Sequence, residues 1–238
     1  MTAVPQAVKS TLLPFLLLTL MWLACLAALG EDAGARHPVS ASAKASGVKH
    51  PQPNNDAIVA PMKIFSNLGQ GSDLYDASNG YFVMGRDNGN FSYSQDIAIP
   101  FVPATNATVT RVKAALQYYD FGGGQPNSAV LAIYTDRNGL PGKRLAKKLI
   151  GKFDDFGSGC CELALWTLST PLPLTAGTQY WVVGTTGSQF TDTVSVWNWT
   201  FGDQPANFAF QQDDGGWLYL SERYGYAASA VAVRGTVP

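Results

Sequence analysis

From residue 61 onward the chain alternates apolar and polar side chains in short runs, and nearly every run stops at a cluster of turn formers. Strand side chains alternate in direction with period two, whereas a helix needs an apolar stripe of period 3.6 sustained over ten or more residues. The runs fall at 81–85, 96–102, 108–119, 129–135, 144–152, 161–166, 179–185, 193–200, 208–212, 217–220 and 230–234. Between them stand Asp87-Asn88-Gly89, Gly122-Gly123-Gly124, Asn138-Gly139 and Asp214-Gly215-Gly216. Clusters of this kind mark turns. No stretch carries a capped helical stripe. The series predicts an all-β fold, an antiparallel β-sandwich of jelly-roll type over 61–238. Within 108–116 the even set Val112, Ala114 and Leu116 is expected to face the core.

Composition agrees with many short strands. Charged residues make up 14% and there are 24 glycines, while 46% hydrophobic content is too high for a disordered chain. Sixteen Lys and Arg against seventeen Asp and Glu give a net charge of −1. That balance offers no attraction to nucleic acid or to an anionic membrane surface.

The N-terminus has a different character. Lys9 precedes an apolar stretch from Thr11 to Leu29, which breaks at Glu31. Ala28 and Gly30 put small residues three before and one before the bond to Glu31, as a signal peptidase requires. Residues 1–30 therefore read as a signal peptide. Two other outcomes stay open. The stretch is just long enough to span a bilayer uncleaved, and Cys25 after Ala24 could be lipidated, although Trp22 stands where a small aliphatic residue belongs. Any membrane contact would thus run through an uncleaved signal segment or a lipidated Cys25. Residues 31–60, rich in Ala, Ser, Pro and Asn without periodicity, read as a flexible spacer. The expected location is extracellular or on the cell surface.

Both histidines, His37 and His50, lie in that spacer. No Ser-His-Asp, Cys-His or histidine-bound zinc arrangement is then expected inside the domain, and no cofactor or metal is implied. Carboxylates remain. Asp120, Asp154, Asp155, Glu162, Asp192, Asp203, Asp213, Asp214 and Glu222 mostly adjoin glycine or lie in expected loops, where Asp usually closes turns. Asp136-Arg137-Asn138-Gly139-Leu140-Pro141-Gly142 resembles the start of a calcium loop but lacks the later ligands, so a tight inter-strand turn is the preferred reading. The basic cluster of Lys143, Arg144, Lys147, Lys148 and Lys152 suits an edge strand protected against sheet-to-sheet association.

Cys160 and Cys161 are adjacent. In an oxidising compartment unpaired thiols are unusual. Neighbouring strand residues point to opposite faces, which opposes a bond between them, yet Gly157-Ser158-Gly159 could supply a turn. A vicinal disulfide, buried thiols and an intermolecular bond all stay open. A metal site at this pair lacks a nearby histidine.

The aromatics suggest a ligand. Trp197 and Trp199 share one strand face by period two, and Asn198 and Asp203 stand beside them. Exposed rings next to polar groups suit stacking on a sugar ring, whereas buried rings would fill the inter-sheet core. Trp197, Trp199, Asn198 and Asp203 are the candidate ligand-binding set. Asn90, Asn106 and Asn198 fit the glycosylation sequon, a position that is usually exposed.

Five segments, taken in order, carry a resemblance. They are Ile64-Phe65-Ser66-Asn67-Leu68-Gly69, Gly80-Tyr81-Phe82-Val83-Met84-Gly85, Ile99-Pro100-Phe101-Val102-Pro103, Asp136 to Gly142, and Ala176-Gly177-Thr178-Gln179-Tyr180-Trp181-Val182-Val183. Together they resemble the bacterial choice-of-anchor surface-protein domains, in particular the type labelled R, over most of 64–238. The resemblance implies an exported β-sandwich tied to cells by varied means and no established reaction. The chain departs from it in ending at Arg234-Gly235-Thr236-Val237-Pro238 without a hydrophobic sorting tail, so an anchor is expected at the N-terminus.

Three functions follow in order of preference. They are a non-catalytic binding module for a glycan or cell-envelope partner, a structural or adhesive envelope component, and a carbohydrate-active enzyme using paired carboxylates. Export is directly testable. Recovered from a host of its own type, the mature chain is expected to begin at or near Glu31. N-terminal sequencing that finds Met1 intact would exclude cleavage, and a lipid on Cys25 would establish anchoring.

Overall fold

A computed structural model of the chain describes residues 36–43, 61–187, 191–213 and 215–237. The expected signal segment, Cys25, His50 and most of the 31–60 segment lie outside the described residues. The compact unit that carries the domain begins at Pro38. Its strands are β1 (Ser40–Ser42), β2 (Met62–Ser66), β3 (Asp76–Met84), β4 (Gln95–Phe101), β5 (Ala107–Ala114), β6 (Leu116–Tyr118) and β7 (Ser128–Arg137). They continue with β8 (Leu140–Gly151), β9 (Ala164–Leu174), β10 (Tyr180–Thr185), β11 (Val194–Trp199), β12 (Phe208–Gln212), β13 (Trp217–Leu220) and β14 (Val231–Thr236).

The protein is an all-β antiparallel sandwich. A ten-stranded sheet runs β6-β11-β3-β4-β10-β7-β8, with β1 on β3 and the β12–β13 hairpin on β4. A four-stranded sheet, β2-β14-β5-β9, faces it. Alternation decides which side chains meet between them. Tyr81 and Val83 of β3, Ile97, Ile99 and Phe101 of β4, and Leu131 and Ile133 of β7 point inward from the large sheet. Val109 and Val112 of β5, Trp166 and Leu168 of β9, and Val231 and Val233 of β14 meet them from the small one.

Where observed strands differ from the expected runs, the cause is local. The single run 108–119 is two strands in two sheets, because the chain crosses between sheets at Ala115, whose N–H donates to Ala230 O at 3.1 Å. Val112, Ala114 and Leu116 are buried as expected. Val109 is buried as well, because a register shift between Val109 and Arg111 inverts the alternation. The run at 161–166 is displaced to β9, which passes through Pro171 and Pro173. Prolines read as strand breakers, but β9 is the last strand of the small sheet, where an absent N–H costs no ladder bond. The basic residues of β8 lie on the last strand of the large sheet and are exposed, as the edge reading requires.

The sheet also extends into the segment read as spacer. Ser40, Ala41 and Ser42 of β1 pair with Tyr81, Gly80 and Asn79. Gln95, fully buried, fixes this segment in place. Its Oε1 accepts from Val39 N–H at 2.8 Å, and its Nε2 donates to Val39 O at 3.0 Å and Phe82 O at 2.9 Å. A strand of three residues with one buried side chain has too little periodicity to be seen in sequence.

At the centre Trp197 is fully buried, and its Nε1 donates to Ala230 O at 2.9 Å. Trp197→Ala would open a cavity and leave the Ala230 carbonyl with the Ala115 N–H alone, so it is expected to cost about 3–5 kcal/mol in chemical denaturation. A loss below about 1 kcal/mol would show that the ring does not fill the core.

Candidate functional site

The sugar-binding face expected at Trp197 and Trp199 is not on the surface. The two rings do share a face, but it is the inter-sheet face. Trp197 has no exposed area, and Trp199 packs part-buried against the same core, 5.3 Å from the Tyr81 ring. Asn198 is fully buried on the opposite side, where its Nδ2 donates to Asp76 O at 3.1 Å and Asn79 O at 3.4 Å. The sequon at Asn198 is therefore not exposed. Asp203 is exposed in a turn with φ 49°, beside Asp76. Desolvation and then the Asp76 charge and hydrogen bond raise its pKa. Period two told which residues share a side; only the packing of the second sheet told which side that is.

Cys160 and Cys161 are bonded to each other across a cis peptide. They precede β9 in a loop rather than lying in a strand, so the alternation that opposed the bond does not apply. Both are buried among Tyr75, Ala77, Ala115 and Ala230. Asp136 closes the β7–β8 turn, as its place beside Asn138-Gly139 leads one to expect. Its Oδ2 accepts Gly139 N–H at 2.9 Å, and its Oδ1 accepts Gln179 Nε2 at 2.7 Å and Trp181 Nε1 at 2.9 Å. Burial alone would raise its pKa; these three donors outweigh it and hold the carboxyl below its ordinary value.

The surface feature with chemical content is on the outer face of the large sheet. Strand register sets three cross-strand rows there. One row joins Ala132, Val183, Ala98, Ala209 and Tyr219 across β7, β10, β4, β12 and β13. All but Tyr219 are fully buried although they face away from the main core. The sheet curls over them, bringing β13 toward β8, and side chains this small permit that curvature. A second row carries Tyr134, Trp181 and Pro100. The third joins Val130 to Thr185 and, further across, Asp96 to Gln211 to Trp217. A hydrogen bond between Thr185 and Asp96 connects its two halves.

This third row opens into a cleft of about 350 Å³ lined by Arg86, Ser94, Asp96, Thr185, Gln211 and Asp213 among others. Burial pushes the Asp96 carboxyl up to about 6, and the Thr185 bond only partly offsets it. Asp213 is shifted the other way. Desolvation would raise it, but Ser94 N–H at 3.0 Å and Arg86 Nε at 3.2 Å donate to its Oδ1 and lower its pKa. One carboxyl is thus held near neutrality for protonation while its neighbour is held ionised by Arg86. Trp217, directly opposite Gln211, ends the row beyond the residues that line the cleft and packs part-buried against the cluster of Ala98, Trp181 and Ala209. A larger hollow of about 620 Å³ between Asn106, Thr108, Pro173 and Val237 has no ionisable side chain among the described residues that line it. Among the described residues no three His, Cys, Asp or Glu side chains come together in a way that could hold a metal ion.

No protein-family model matches the chain, and no curated protein matches it. The cleft was not visible in the sequence because its residues come from four separate segments. One signal was present. Asp96 is a lone carboxylate beside the apolar run Ile97-Ala98-Ile99, where no turn explains it.

The raised pKa makes a stability prediction. The folded state binds the Asp96 proton more tightly than the unfolded chain does. The stabilisation is therefore complete below the ordinary value of 3.8 and is lost as pH rises through about 6. Asp96→Asn keeps the shape and removes the charge. Urea denaturation is expected to show the variant more stable than the parent at pH 7, by at most about 3 kcal/mol, with the difference shrinking toward pH 4. Parallel curves at both pH values would refute a desolvated Asp96.

Proposed function

We propose that the chain is an exported, non-catalytic binding module whose ligand is a glycan, taken up at the cleft on the outer face of the large sheet. The observation that supports this most is the row Thr185–Asp96–Gln211–Trp217. It sets three hydrogen-bonding side chains in line along the cleft, with the part-buried Trp217 next beyond Gln211. A pyranose needs such a combination, with a ring to meet its apolar face and polar groups for its hydroxyls. The resemblance to choice-of-anchor surface domains, the signal-like N-terminus and the near-neutral charge agree with a surface or extracellular setting and a cell-envelope partner.

A second reading has its own support. Two carboxyls with oppositely displaced pKa values line one cleft, the asymmetry a glycoside hydrolase uses for acid and base. Against it, Oδ1 of Asp213 already accepts from Ser94 N–H, Ser94 Oγ and the Arg86 guanidinium. A carboxylate so occupied is a weak base.

Glycan-array screening of the mature chain tests the first reading. Binding is expected, and Gln211→Ala, which removes an amide that lines the cleft, should weaken it about tenfold or more without lowering the melting temperature by more than a few degrees. If no glycan binds, the chain is a structural envelope component instead. Release of reducing ends from a bound oligosaccharide, abolished by Asp96→Asn, would establish the enzyme.

A further inference from the structure

We propose that the cleft selects a glycan carrying a free, protonated amine, an amino-sugar unit whose ammonium sits on the Asp96 carboxylate. This rests on the reading of the cleft as a glycan site and names the class of sugar. The charge of the lining is the first ground. One cation, Arg86, faces two carboxylates, and its guanidinium is on Asp213 through Nε and Nη2, both at 3.2 Å. Among the described lining residues there is therefore one more carboxylate than cation, and the excess is at Asp96. Its β10 and β12 neighbours in the row, Thr185 and Gln211, are neutral.

The second ground is the character of that carboxylate. Desolvation of Asp96 disfavours its ionised form, and a ligand cation recovers what the lost water supplied. A neutral sugar leaves that cost in place; an ammonium removes it and donates up to three hydrogen bonds. Ser94 and Gln211 supply neutral groups for the remaining hydroxyls, and Trp217 flanks Gln211. An N-acetylated unit has neither the charge nor the ammonium donors, so the site discriminates by the state of that nitrogen.

Calorimetric titration of the mature chain with three tetrasaccharides separates the possibilities: glucosamine units with free amines, the same units N-acetylated, and neutral glucose units. The free-amine ligand is expected to bind about tenfold or more tighter than the acetylated one at pH 6.5, and Asp96→Asn should erase the difference. A second readout needs no variant. Parent affinity for the free-amine ligand should rise between pH 5 and pH 6.5 while affinity for the acetylated ligand stays flat. Of the charged groups among the described residues lining the cleft, only Asp96 titrates in that window, Asp213 being held ionised below it by Ser94 and Arg86. Equal binding of amine and acetylated ligands, or an amine preference that survives Asp96→Asn, overturns the inference and leaves the glycan reading standing. Failure of all three sugars overturns both.

Discussion

Trp197 is the side chain on which the sandwich depends. Its ring occupies the gap between the sheets where β11 meets the approach to β14, and its Nε1–H ends on Ala230 O. Neighbouring strands are shaped around it. Gly184 of β10 has no side chain because a Cβ there would come within 2.8 Å of the Trp197 ring. The backbone about the ring is sewn together: Asn198 N–H donates to Ala115 O, Ala230 N–H to Asn198 O, and Ser229 Oγ to Trp197 O. These contacts join β11 to the corner where the chain leaves β5 for β6 and to the entry of β14. One ring thus sets the spacing of the sheets, the crossing point of the chain and the register at its C-terminal strand.

The middle of the large sheet is buried on both faces, and its outer face is covered there in two ways. Over β3 and β11, a set of loop aromatics closes the surface. Phe82 meets Tyr119 edge-on at 5.3 Å, Phe121 at 5.5 Å and Phe91 at 6.0 Å. Over β4, β10 and β12, the sheet covers itself by curling, and alanines at 98, 132 and 209 make the curl sterically possible. Trp181 is fully buried in that second pocket, and Asp136 satisfies its Nε1–H from the β7–β8 turn. Asp96, part-buried at the edge of this curled region, lines the cleft.

The N-terminal attachment has a comparable economy. Gln95 begins β4, is fully buried, and uses both ends of its amide to hold Val39 and Phe82. A buried amide is tolerated only when its donors and acceptors are matched. The match is made by a segment that joins the sheet from more than fifty residues away.

Fold class was legible in the residues alone. Alternation, turn clusters and the lack of a helical stripe are local properties, and they fix strands wherever they occur. Legible there too were the sharing of a face by Trp197 and Trp199, the closing of the turn at Asp136 and the protection of an edge by the lysines of β8. What the tertiary structure alone decided was the meaning of those faces. A strand has two sides and no internal signal says which one a second sheet will cover, so the tryptophans proved to be core. The cleft was decided at the same level. Thr185, Asp96, Gln211 and Trp217 become neighbours only through the pairing of β10, β4, β12 and β13. Such pairings join residues far apart in the chain, and the information that selects them is the fit of the whole core rather than any one segment of it.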